Sequence, residues 1–228
     1  MMVTFEEQYL CDLYEKGKTN DKKHRFQPYL IEKYKERMDT LKKAQRIEDL
    51  FLLSFLRYEV LQGEKKDISS IRVNDPYRVE FTVDKNDMED VLAICNIIDL
   101  SSHDKKIVMI TLQEIDPGMI ANNLTPFQPT HPGSLVKDEL EFRHISQTRF
   151  SQKLGLPNSA FNEILNGKRP VTTDFALLME AALNIPASML MGLQTDYNLQ
   201  VARNDRKLLA QLAEVRKLAS CFNFDKFS

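Results

Sequence analysis

The sequence predicts two folds in series, an α+β domain over residues 1–105 and an all-helical domain after it. Three observations carry this. Helical spacing in the first fifty residues gives way to runs rich in Val, Ile and Tyr between residues 58 and 100, bounded by turn residues. A polar, charged junction, Ser101–Val108, follows. From His131 onward every element reads as helix, and Ser146–Arg169 has the layout of a helix, a tight Gly turn, a second helix and a basic exit.

In the first half, Glu6–Glu15 is a short helix. Arg25–Lys43 is a long one, with Tyr29, Ile31, Tyr34, Met38 and Leu41 on its apolar face, and Arg46–Ser54 is a third. Tyr58–Leu61, Ile68–Val73, Tyr77–Val83 and Asp90–Leu100 read as strands, interrupted by Gly63, by Asn74-Asp75-Pro76 and by Asn86-Asp87. Helices followed by a meander imply helices packed on one face of an antiparallel sheet. Ile115–Pro129 holds three prolines and reads as irregular.

In the second half, Gln147–Leu154 puts Phe150 and Leu154 four apart on one face. Gly155 can take the positive φ that ends this helix. Asn158 is expected to cap the next helix, which runs to Leu165. Phe161, Ile164 and Leu165 form its apolar stripe and leave Ser159, Asn162 and Glu163 outward. Asn166-Gly167 stops it, and Lys168-Arg169 follow where a phosphate backbone would lie. Thr172–Leu183 and Pro186–Gln194 complete a five-helix bundle, with Leu177, Leu178, Met179, Leu190, Met191 and Leu193 as a Met-rich apolar set. Asn204–Ser220 is a final amphipathic helix, with Leu208, Leu212, Val215 and Leu218 on one side.

Composition bounds the function. With 228 residues, 43% apolar and 28% charged, this is an ordinary globular composition. No apolar run approaches the roughly 20 residues of a membrane span. The acidic, amphipathic N-terminus is not a signal peptide. Cys11, Cys95 and Cys221 form no CxxC pair and no metal-ligand spacing with the four histidines, so neither metal nor cofactor is expected, and the thiols read as reduced in a cytoplasmic protein. Residues 1–105 carry 18 Lys/Arg against 21 Asp/Glu, so any nucleic-acid contact must rest on local clusters.

One such cluster follows from register. If Asn74-Asp75-Pro76 is a hairpin loop, Arg72 lies opposite Arg78, while Ile71 pairs with Val79 and Ser69 with Phe81 on the other face. Two opposed arginines are unfavourable unless an anion or an acid sits between them. Phosphate suits paired guanidiniums; Glu80 as counter-ion on a solvated face is the alternative.

Two resemblances sharpen this. His131-Pro132-Gly133, ILNGKR and the closing helix ending in LQ resemble the HigA antitoxins, helix-turn-helix DNA-binding proteins of the lambda-repressor-like (XRE) class, over about Met109–Asp196. YEVLQGEKKDISSIRVNDPYRVEFTV, with ICNIIDLSSH after it, resembles the HigB toxins of the RelE/ParE superfamily over about residues 1–105. The chain is thus similar to a HigB–HigA fusion, with a toxin domain at 1–105, a linker and antitoxin N-terminal segment at 106–130, a helix-turn-helix domain at 131–196 and a terminal helix at 197–228. Met109 begins a stretch that would serve as a separate protein's start.

The toxin resemblance implies a metal-independent messenger-RNA endonuclease acting on the ribosome. His103 would be its base or acid, Arg72 and Arg78 would hold the phosphate, and Lys65-Lys66 would flank. The chain departs from the family pattern at Ser101 and Ser102, where Asp-Tyr is common, and at Arg57, where some members carry a histidine. Arg57 can stabilise charge but cannot act as a base. His24 reads as a helix-start residue. The antitoxin resemblance implies operator binding as a homodimer, autorepression and restraint of the toxin within or between chains. Asn158, Ser159 and Asn162 would read base edges, and Gln147, Thr148, Lys168, Arg169 and Thr172 would contact phosphates. A transcription regulator whose first domain has lost catalysis is the rival reading. A toxin directed at DNA gyrase, as in the ParE branch, is a weaker one.

Overall fold

The structure is a computed structural model, and it describes residues 1–62, 68–84, 94–102 and 119–221. The first half is a five-stranded sheet of order β1-β5-β4-β3-β2, with β1 at Met2–Phe5, β2 at Glu59–Val60, β3 at Ile68–Arg72, β4 at Tyr77–Asp84 and β5 at Ile94–Ser102. The expected antiparallel meander is present, and the hairpin register is the expected one: Arg72 opposite Arg78, Ile71 opposite Val79, Ser69 opposite Phe81. The sequence reading missed β1, which pairs in parallel with β5 from Met2↔Ile94 to Phe5↔Ile97. Four residues at a chain terminus give too short an alternation to be seen against the helix that follows.

Helix α1 spans Gln8–Lys16 and α2 spans Pro28–Lys43, after a 3₁₀ turn at Lys22–His24. Leu10, Leu13, Tyr14, Tyr34, Met38 and Leu41 are fully buried, and they share one apolar cluster with Ile71, Val79 and Phe81 of the sheet. The third expected helix is only Glu48–Phe51 (α3), followed by a 3₁₀ turn at Ser54–Leu56.

The helical half comprises α4 (Gly133–Phe142), α5 (Gln147–Lys153), α6 (Asn158–Leu165), α7 (Thr173–Leu183), α8 (Ala187–Arg203) and α9 (Arg206–Cys221). Gly155 and Gly167 have φ of 67° and 71°, as the two turns require. Gly133 is needed for a different reason: a Cβ there would lie 2.1 Å from the Ile164 carbonyl oxygen, so α4 abuts the end of α6. Of the Met-rich set, Met179, Leu190 and Leu193 are buried, whereas Leu177 is exposed. α8 continues well past the expected Gln194. Leu209, Leu212, Val215 and Leu218 of α9 are exposed.

The two halves are docked, and their buried apolar residues form one connected cluster. Residues 119–130 lie on the first half: Ala121 is buried, the Val3 amide donates to Asn122 Oδ1, and the Thr130 hydroxyl donates to Asp39 at 2.6 Å. On α8, Asp196 pairs with Lys43 at 2.7 Å.

Candidate functional site

The polar side of the sheet carries the arginines. Arg57 follows the Ser54–Leu56 turn with φ 43° and ψ 53°, a left-handed conformation that an unbranched non-Gly residue adopts at a cost of about 1–2 kcal/mol. Its side chain is exposed. Arg78 is buried: Nε donates to Ser70 Oγ at 2.8 Å, one Nη donates to the Arg57 carbonyl at 2.6 Å, and the same group pairs with Glu59 at 2.9 Å. Burial pulls the Arg78 guanidinium below its ordinary range, against Glu59, which raises it. Arg78 thereby holds the Arg57 backbone in place. Arg72 turns towards the hairpin, pairing with Asp75 at 2.5 Å, and its buried Nε makes no hydrogen bond. The two opposed arginines thus each have an acid, Glu59 for Arg78 and Asp75 for Arg72, and buried Glu80, the alternative counter-ion, also favours the charged form of Arg78. β5 pairs Ser101 with Arg78 and Ser102 with Tyr77, so it ends beside the hairpin. His103, Lys65 and Lys66 lie outside the described residues.

The C-terminal half reaches this cluster through α4, with Arg57 still exposed. The Phe142 ring centroid is 5.1 Å from the Arg57 guanidinium carbon and 5.9 Å from that of Arg72, within cation–π range. One turn earlier, Asp138 takes Lys33 at 2.8 Å and Arg37 at 2.9 Å, both from α2. Burial alone would raise the Asp138 carboxyl, but Arg37 and Lys33 outweigh it and hold it below the usual carboxylate range. Glu139, fully buried, accepts from the Ser54 and Phe55 amides at 3.3 and 3.1 Å and pairs with Arg143. It therefore anchors the turn that leads into Arg57. Arg37 stacks over Phe55 at 4.6 Å and donates to the Arg72 carbonyl. Sequence reasoning missed Arg37, Asp138, Glu139 and Phe142. The available signal was the i, i+4 spacing of Asp138 and Phe142, which puts an acid and an aromatic on one helix face.

The second site is the outer face of α5 and α6. Asn158, Ser159 and Asn162 are exposed there, as are Thr148, Lys168, Arg169 and Thr172; Gln147 is half-buried. Asn158 does not cap α6. Pro157 occupies that position, and Asn158 is the first helical residue, its Oδ1 lying 3.4 Å from Ser151 Oγ. A proline suits this entry because its φ is already restricted. Asn162 Oδ1 accepts from Asn166 Nδ2 at 3.1 Å, which turns the Asn162 amide group outward as a donor. Arg169 pairs with Glu163 at 3.2 Å, and Thr172 caps α7 by accepting from the Phe175 amide. Arg149 and Lys153, exposed on α5, are two further cations near this face.

The family model described as the RelE-like toxin of the type II toxin–antitoxin system HigB matches residues 3–93. The N-terminal half is thus similar to HigB-like toxins over these residues. A curated relative, virulence-associated protein A′ of Dichelobacter nodosus, is 35% identical over 72 residues, 31% of this chain, and the match spans 63% of that relative's length. Among solved structures, the chain is similar to a putative antidote protein of a plasmid maintenance system from Nostoc punctiforme, at 28% identity over 40% of this chain and 96% of that one, with a TM-score of 0.33. It is also similar to an addiction module antidote protein of the HigA family from Coxiella burnetii, at 27% identity over 40% and 95%, TM-score 0.34. A third is a Pseudomonas aeruginosa protein solved with its operator DNA, at 26% identity over 37% and 94%, TM-score 0.33. Downstream of this match lie the helix-turn-helix and its HPG and ILNGKR motifs.

Proposed function

We propose that this chain is a self-restrained toxin–antitoxin protein: a metal-independent endoribonuclease of messenger RNA on the ribosome, silenced by its own operator-binding half. The observation that carries this is Phe142 of α4 lying over Arg57 and Arg72, with Asp138 and Glu139 of the same helix bound to the toxin half. When α4 withdraws, Arg57 and Arg72 are free to hold the scissile phosphate and the charge that develops on it. Arg78 braces Arg57 from behind. His103, following β5, takes the 2′-hydroxyl proton or supplies one to the leaving 5′-oxygen, and Lys65 adds positive charge. The attacking 2′-oxygen bonds to phosphorus as the 5′-oxygen leaves.

The helix-turn-helix half binds operator DNA as a homodimer. Asn158, Ser159 and Asn162 meet base edges, and Gln147, Thr148, Lys168, Arg169 and Thr172 contact phosphates. The proposed division is domains at 1–105 and 131–196 joined by 106–130, with the expected cut before residue 197 corrected because it falls inside α8 and the terminal helix begins only at Arg206, and the proposed site of action is cytoplasmic. A second reading, a regulator whose first domain only binds a partner, is favoured by Arg78 being committed to Ser70, Arg57 and Glu59. Inducing residues 1–105 alone, beside the His103→Ala version, separates the two. Growth arrest with messenger-RNA cleavage that His103→Ala abolishes supports the nuclease; a soluble, folded fragment with no effect leaves the regulator.

A further inference from the structure

The residues between α1 and α2 form a basic surface that neither the arginine site nor the helix-turn-helix uses. Residues 16–25 hold five Lys/Arg against one acid, Asp21, in a chain of net charge −2. Lys16 is taken by Asp12. Lys18, Lys22, Lys23 and Arg25 are exposed and have no ion-pair partner among the described residues. Such a cluster repels itself and is electrostatically unfavourable without an anion.

Aromatic rings stiffen the same surface. His24 stacks on Tyr9 with ring centroids 3.8 Å apart and planes 7° from parallel, and its Nδ1 is bonded to Asp21. Phe26 meets Tyr77 edge-on at 5.7 Å. Tyr29, in the first turn of α2, is 60% exposed. The N-terminus of α2 has no side-chain cap, so its amides add positive potential to the patch.

The position is as informative as the composition. Tyr77 begins β4, next to Arg78 and opposite Ser102, so the Phe26 contact ties this loop to the end of the sheet where the arginines sit. Along α2, Pro28 lies nine residues before Arg37, which bonds the Arg72 carbonyl; that is about 14 Å at 1.5 Å per residue. The loop is exposed, and Arg57 and Arg72 have the Phe142 ring against their guanidiniums.

We infer that the 18–29 loop is a docking surface for single-stranded RNA, holding the strand on one side of the cleavage site with Lys18, Lys22, Lys23 and Arg25 on phosphates and Tyr29 against a base. Flat aromatic faces interleaved with cations suit unpaired bases, which duplexes hide and lipids lack. The inference rests on the toxin half acting on RNA, but it concerns binding and is read without cleavage.

The test uses the intact chain and a labelled oligouridylate, with anisotropy followed as salt is raised. Joint replacement of Lys18, Lys22, Lys23 and Arg25 by Gln is expected to weaken binding roughly tenfold or more at low salt and to reduce the slope of log K against log salt by about 3, since each phosphate contact to a single strand contributes about 0.7. Tyr29→Ala is expected to lower affinity with the slope unchanged. The loop replacement is expected to cause the same loss in a Lys168→Gln/Arg169→Gln background, which removes phosphate contacts on the helix-turn-helix from the readout. Unchanged affinity and slope in the loop variant overturn the inference. So does tighter loop-dependent binding to phosphatidylserine vesicles than to the RNA. A chain that binds RNA through this loop while residues 1–105 cleave nothing would sink the nuclease reading and leave this one standing.

Discussion

Phe142, the last residue of α4, lies with its ring 5.1 Å from the guanidinium of Arg57, a residue held in a left-handed backbone conformation by the fold of the other half. One helix thus touches both candidate sites of the chain. Its C-terminal end lies against Arg57 and Arg72, while its N-terminal end packs at Gly133 against the last turn of α6. A shift of α4 away from Arg57 is therefore expected to disturb α6 and so to link the two candidate sites.

Glu139 is the anchor of that helix. Glu139→Ala leaves the Ser54 and Phe55 amides without their acceptor and removes the carboxylate from Arg143, which keeps its bonds to Ser54 Oγ and the Leu183 carbonyl. A loss of about 2–4 kcal/mol is expected, measured by urea unfolding of the intact chain. A loss below about 0.5 kcal/mol would mean that the carboxylate does not hold the halves together.

The glycines of the helical half separate two causes of cost. At Gly133 the φ is unremarkable but a Cβ meets backbone, so Gly133→Ala is expected to cost about 2–3 kcal/mol and to weaken DNA binding by shifting α6. At Gly155 there is open space but a φ of +67°, so Gly155→Ala is expected to cost only about 1 kcal/mol. Paired melting curves test the order; the reverse order would contradict the close approach of α4 to Ile164.

On the DNA face, Asn162→Ala is expected to relax sequence preference, with about 1–3 kcal/mol lost on the operator and little on random DNA. Lys168→Gln should weaken all sequences alike and flatten the salt slope by about one. Equal losses on operator and random DNA for Asn162→Ala would refute base reading by that residue.

His131 gives a pH dependence. Burial depresses its pKa, against the hydrogen bond with the Arg169 backbone, which raises it; its ring packs edge-on to Tyr197 at 4.8 Å, and its Nδ1 accepts from the Gly133 amide. The folded chain binds the proton less readily than the unfolded one. The stability this contributes is present above the unfolded value of about 6.5 and is lost as pH falls below it towards the folded value. Melting temperature is expected to fall between pH 7.5 and 5, and by less in His131→Gln. An equal fall in both would place the titration elsewhere.

Much of this fold was legible in the sequence because its signals are local. The Arg72–Arg78 register follows from a turn and alternation alone, and the α5–Gly155–α6 turn from a glycine and two apolar stripes. The departures are non-local or terminal. β1 needs β5 as its partner, ninety residues away. Asn158 has the composition of a cap, but the proline before it takes the position. The closure of the arginine site was invisible for the same reason: Phe142 looks like an ordinary helix residue until α2 and the Ser54–Leu56 turn are brought beneath α4. Arg78 read as a phosphate ligand, but Ser70, Arg57 and Glu59 converge on it only in the folded sheet.

The most direct test of restraint by α4 is induction of the full-length Phe142→Ala chain, with and without His103→Ala, while messenger-RNA integrity is followed beside the wild-type chain. The wild type should leave messages intact, Phe142→Ala should cleave them, and His103→Ala should abolish that cleavage. Intact messages in a folded Phe142→Ala chain, when residues 1–105 alone do cleave them, would show that α4 is not what holds the toxin shut.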